Sequence, residues 1–154
     1  MYNKKSKTSA ILTIVTAILI IGFAIMLPLM QYNTPEDSDD LSGLVMIVVI
    51  IYGFPSAYLS SIPYVIVALI FGSKMCKQQD RKKLISLNVR MLITTCVLLP
   101  VFAFSMAFCS ELIKNSTWGL MPIVYTIVMA VTYIASLIAQ IATIVALKKS
   151  PEQI

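Results

Sequence analysis

The polar side chains inside the long apolar stretches of this chain are hydroxyls and amides, and their spacing sets what they can do. Thr132, Ser136, Gln140 and Thr143 follow one another at four, four and three residues, which places all four on one side of a helix. Gln140 is the costliest of them to bury, because its amide carries two donors and an acceptor that all need partners. Asn88 and Arg90 fall at a similar depth in the preceding segment. A set of this kind has two uses: hydrogen bonds between neighbouring helices, or the lining of a polar cavity for a solute. Interhelical bonding demands less of the sequence, and the cavity is kept as the alternative. Arg90 lies near enough to a charged boundary for its side chain to snorkel out of an apolar layer.

The rest of the inventory is negative. The chain has no histidine, which removes the commonest general base and metal ligand. No Asp or Glu falls inside the long uncharged runs, so a paired-carboxylate intramembrane protease is excluded and a proton-coupled exporter is disfavoured. Cys76, Cys96 and Cys109 form no CxxC pair and read as packing residues or spare thiols. There is no Gly-rich phosphate loop ending in Lys-Ser/Thr. The expectation is a protein that is not an enzyme and holds no metal or cofactor.

These residues must be positioned by an unusual scaffold. Of 154 residues, 58% are hydrophobic and 12% charged, against about 25% charged in ordinary globular chains. Mean hydropathy is +0.88. There are too few polar residues to cover a soluble core, and the hydrophobicity excludes disorder. The charges leave uncharged runs of 28, 33, 20 and 33 residues, between Lys7 and Glu36, Asp40 and Lys74, Arg90 and Glu111, and Lys114 and Lys148. About 20 apolar residues of helix cross a bilayer, and the runs lack the period-two alternation of barrel strands. The predicted fold is all-α: a polytopic membrane protein with four transmembrane helices, near 9–30, 43–73, 88–110 and 119–147. They form one domain over 1–154 with no soluble domain. The first run exceeds the apolar core of a signal peptide and reads as a retained helix.

Lysine and arginine set the expected topology. Four crossings put eleven of the twelve basic residues on one side, with Asp80 and Glu152, and leave Lys114 on the other with Glu36, Asp37, Asp39, Asp40 and Glu111. Under the positive-inside rule the chain is two in-out-in hairpins in the cell membrane with cytoplasmic N- and C-termini. The basic balance is thus a topology signal, and nucleic acid is excluded as a partner because no basic domain exists to carry it. Tyr32 and Trp118 are placed for an outer aromatic belt. Asn115-Ser116-Thr117 matches the N-glycosylation triplet but lies too close to a membrane edge for modification.

The second and fourth helices are long. Thirty-one residues, as in 43–73, span roughly 46 Å at 1.5 Å each, more than the hydrocarbon thickness, so bends are expected at Pro55 and Pro63; residues 43–52 as a separate interfacial helix are the alternative. Pro100 is expected to kink the third helix. Two seams of small residues are candidates for helix packing: Gly53, Ala57 and Ser61 on the second helix, continued by Ala68 and Gly72, and Ala135, Ala139 and Ala142 on the fourth, continued by Ala146. The expected partners are the lipid bilayer and another membrane protein or a second copy of the chain. The expected function is that of a non-catalytic accessory, regulatory or immunity-type interaction protein. The alternative is a small oligomeric transporter or channel with the Thr132-to-Thr143 stripe along its route.

Overall fold

The computed structural model describes residues 2–32, 47–110 and 118–149. Four long helices make up nearly all of them: α1 (Tyr2–Tyr32), α2 (Phe54–Lys77), α3 (Arg81–Phe108) and α4 (Met121–Lys149). No strand occurs among the described residues. Each helix is long and apolar enough to cross a membrane, over Lys4–Met30, Val49–Lys77, Arg81–Ala107 and Met121–Lys149. α1 and α3 both begin ahead of their apolar runs, in the lysine-rich segments, because helix once nucleated propagates readily through Lys, Ser and Leu.

The junctions follow local chemistry. A π turn, Val49–Gly53, leads into α2, with the Phe54 N–H bonded five residues back to the Val49 carbonyl. The wider turn falls where Pro55 supplies no N–H for the Ile51 carbonyl and its ring crowds that group. Beyond it, α2 runs unbroken through Pro63, and α3 through Pro100. Gln78 and Asp80 are extended, so α2 turns sharply into α3. The Asp80 carboxylate caps α3 by accepting from the Lys82 backbone N–H at 3.0 Å. Gly119 has φ +64 just ahead of α4, a left-handed conformation that favours glycine.

The helices form an antiparallel ring in which α1 packs on α2, α2 on α3, α3 on α4 and α4 on α1. Both diagonals also touch. Phe23 meets Phe102 edge-on at 6.2 Å between ring centres, and Tyr64 faces Tyr133 at 6.4 Å. Side chains therefore cross the bundle axis at two levels. The interior takes Ala10, Ala17, Phe23, Leu27, Met75, Leu84 and Met91 together with a row of hydroxyls. The exterior is the apolar side: Ile18, Leu59, Val97, Val131 and Ile138 are all more than half exposed. A water-soluble bundle distributes these residue types the other way round.

α1 and α2 approach closely at Gly72, where an added Cβ would lie 2.9 Å from two side-chain atoms of Ile14 and 3.7 Å from the Ala10 carbonyl oxygen. At the other end of the molecule the Tyr125 hydroxyl reaches over Gly22 and donates to the Leu19 carbonyl at 2.8 Å. The end that carries the start of α1 and the end of α4 gathers every described Lys and Arg. Arg81 bridges elements there: its Nε donates to the Leu147 carbonyl at 2.6 Å and its terminal nitrogen to that of Lys148 at 3.1 Å, satisfying carbonyls that the end of α4 leaves open.

Candidate functional site

The polar stripe of α4 faces α1. Gln140 is wholly buried, and its Nε2 donates to Thr13 Oγ1 at 3.0 Å and to Ser136 Oγ at 3.3 Å. The Thr13 hydroxyl gives its one proton to the Ser9 carbonyl at 2.8 Å and lies 3.2 Å from the Ser136 hydroxyl. Since Thr13 donates to backbone, Ser136 is the donor between the two hydroxyls. One turn towards the basic end, Thr143 bonds the Ala139 carbonyl at 2.7 Å and the Lys5 carbonyl at 3.3 Å. One turn the other way, the Thr16 hydroxyl reaches the Thr132 carbonyl at 3.2 Å, while Thr132 turns its own hydroxyl to Met129.

α3 closes the cluster across the diagonal. The Ser9 hydroxyl donates to Asn88 Oδ1 at 3.3 Å, and Asn88 Nδ2 donates to the Leu84 carbonyl at 2.9 Å. The Tyr133 hydroxyl donates to the Thr95 carbonyl. α2 contributes Tyr64, whose buried hydroxyl sits near those of Thr95 and Ser136 without closing a hydrogen bond to either. Gln140 Oε1 and Ser6 Oγ are likewise buried without a partner. Every other polar atom named in this cluster is satisfied inside the bundle.

Of the residues singled out by spacing, Asn88, Thr132, Ser136, Gln140 and Thr143 thus come together. Arg90 does not join them: it is exposed on the outside of α3, beside Lys74, Lys77 and Lys83. Gly53, Ala57 and Ser61 are buried within the bundle. Ala135 and Ala139 are half-buried and Ala142 is exposed, so the alanine seam forms an outer flank of α4. The α1 side of the cluster carries its own sequence signal: Ser6, Ser9, Thr13 and Thr16 follow at three, four and three residues. Tyr64, Tyr133 and Thr95 complete the site without any such pattern.

What this arrangement can do is hold helices in register. Hydroxyls and amides bonded to one another and to carbonyls offer neither a nucleophile with an adjacent base nor an acid–base pair. Among the described residues no group of three or more His, Cys, Asp or Glu is placed to hold a metal. Cys76, Cys96 and Cys109 are free thiols, half-buried, exposed and buried respectively. Glu36, Asp37, Asp39, Asp40, Glu111, Lys114, the Asn115–Thr117 triplet and Glu152 lie outside the described residues, as do residues 43–46. No protein family matches the chain, and neither a curated protein nor a solved structure matches it.

Proposed function

We propose that the chain is a multi-pass cell-membrane protein with the start of α1 and the end of α4 on the cytoplasmic side. It acts without catalysis, as an accessory, regulatory or immunity-type subunit that binds another membrane component, or a second copy of itself, through its helix faces. The sidedness rests on the basic end: Lys4, Lys5, Lys7, Lys74, Lys77, Arg81, Lys82, Lys83, Arg90, Lys148 and Lys149 belong to it, and such an excess of cations stays on the cytoplasmic side.

The observation that carries the functional reading is the use made of Gln140. Its amide nitrogen, with Ser136 and Thr13, forms a closed set of bonds between α4 and α1, on a stripe that a transporter or channel needs to present to water. With the Gln140 amide nitrogen engaged between α4 and α1, the outer helix faces are the surface this reading assigns to interaction. Affinity capture from native membranes tests this. A stoichiometric partner, or a discrete self-association, is expected, weakened by Ala142→Leu on the exposed flank of α4. Gly53→Leu and Ala57→Leu are unsuitable as surface variants because both positions are interior. A solute flux across proteoliposomes that disappears in Gln140→Leu would overturn the reading in favour of transport.

A further inference from the structure

A cleft of about 450 Å³ opens between the end of α2 and the start of α3, lined by Ser73, Lys74, Lys77, Lys83, Ser86 and Arg90, with Gln78 and Leu87. Four cations share this one concavity, and no acidic residue lines it among the described residues. Asp80, the one carboxylate among the described residues, lies 3.8 Å from the Lys83 ammonium and is already engaged as the cap of α3. Two serine hydroxyls and a glutamine amide add neutral donors. Lys, Arg and Ser residues lining one concave space are the chemistry that holds a phosphate.

The faces that form the cleft continue away from it as apolar rows. On α2 Ile70 and Ile66 stand three and seven residues before Ser73, and on α3 Ile93 and Val97 stand three and seven residues after Arg90; all four are exposed. Residues at this spacing share a helix face. A polar, cationic mouth therefore stands at the head of an apolar track. We infer that this cleft binds the phosphate of an anionic phospholipid, with the headgroup among Lys74, Lys77, Lys83 and Arg90 and the acyl chains along the Ile66–Ile70 and Ile93–Val97 rows. Basic pockets between helices at the cytoplasmic face suit such headgroups. The inference rests on the membrane reading proposed above and assigns Arg90 a specific ligand in place of general snorkelling.

The test uses the full chain purified in neutral detergent. It is offered an equimolar mixture of phosphatidylglycerol and phosphatidylcholine of identical acyl chains, and bound lipid is read by native mass spectrometry. Phosphatidylglycerol is expected to be retained preferentially. Each cation removed from the cleft should lower that preference about fivefold, so that Lys77→Gln with Arg90→Gln nearly abolishes it. Lys4→Gln with Lys148→Gln removes the same charge from the same end and should leave it intact. Equal loss in the two double variants would reduce the effect to net charge and overturn the site. Displacement of phosphatidylglycerol by millimolar inorganic phosphate would make the ligand a soluble phosphate and overturn the lipid assignment. Retention of the chain in carbonate-washed membranes is scored separately: release refutes the membrane reading, whereas retention without lipid preference refutes only the cleft.

Discussion

Replacing Gln140 by leucine should leave the bundle as stable as before, or somewhat more so. Gln140 is fully buried and makes two hydrogen bonds, at 3.0 and 3.3 Å. In membrane bundles such bonds contribute about 0.6 kcal/mol each, so roughly 1.2 kcal/mol is lost. The same substitution removes Oε1, a buried acceptor with no partner, whose desolvation costs about 1–3 kcal/mol. Leucine is close to glutamine in volume and leaves no cavity. The Thr13 and Ser136 hydroxyls keep their mutual contact, and Thr13 keeps the Ser9 carbonyl. The net expectation runs from no change to about 2 kcal/mol of stabilisation. Gln140→Ala loses the same polar groups but opens a cavity, and large-to-small changes in cores cost about 2–5 kcal/mol. Equilibrium unfolding of the purified chain in mixed micelles, followed by Trp118 fluorescence, measures both. Loss of more than about 2 kcal/mol in Gln140→Leu would refute the reasoning, because the amide would then be making interactions that the structure does not contain. So would equal stability of the two variants.

Two further outcomes are expected. Gly72→Val forces a side chain into Ile14, at 2.9 Å from an added Cβ, and should lower stability by about 1–3 kcal/mol; Ile14→Ala should recover a good part of this, and additivity of the two changes in a double-mutant cycle would show that they do not meet. Arg81→Gln removes the guanidinium from the Leu147 and Lys148 carbonyls and should cost about 1 kcal/mol, with faster amide hydrogen exchange confined to the last turns of α4; unchanged exchange there would rule out the bridge.

The four helices were legible because the requirement behind them is crude: length without charge. Hydrogen bonding within each segment does the rest, and neither depends on tertiary detail. The site was legible only in part. Asn88 and Arg90 look equivalent by depth, but two residues on a helix are about 200° apart, so one enters the core and the other faces outward. The stripe on α1 is regular, yet its information is weak. Serine and threonine satisfy themselves on a carbonyl one turn back, as Thr13 and Thr16 do at Ser9 and Leu12, so their spacing does not demand a partner helix. Gln140 finds only part of its bonding one turn back, at Ser136, and reaches Thr13 on α1 for the rest, which is why it was the more informative residue. Small residues are ambiguous for a different reason. Gly72 is fixed by a close approach to α1, whereas Ala142 tolerates exposure to lipid as readily as burial, and only the packing order of the helices separates the two. That order, and the meeting of Tyr64 with Tyr133 across a diagonal, follow from complementarity among all four helices and have no local signature.

The central claim is that the polar stripe of α4 is sealed against α1 rather than facing a water-filled route. It is tested most directly in a chain whose native cysteines are replaced by alanine and which carries Thr13→Cys with Ser136→Cys, the two hydroxyls of which lie 3.2 Å apart. Copper–phenanthroline oxidation in native membranes should drive this pair to a disulfide. Each single variant, Thr13→Cys or Ser136→Cys, should resist a charged, membrane-impermeant methanethiosulfonate applied from either side. Ready labelling of Ser136→Cys from water, with no cross-link in the pair, would contradict the packing and reopen the stripe as a path.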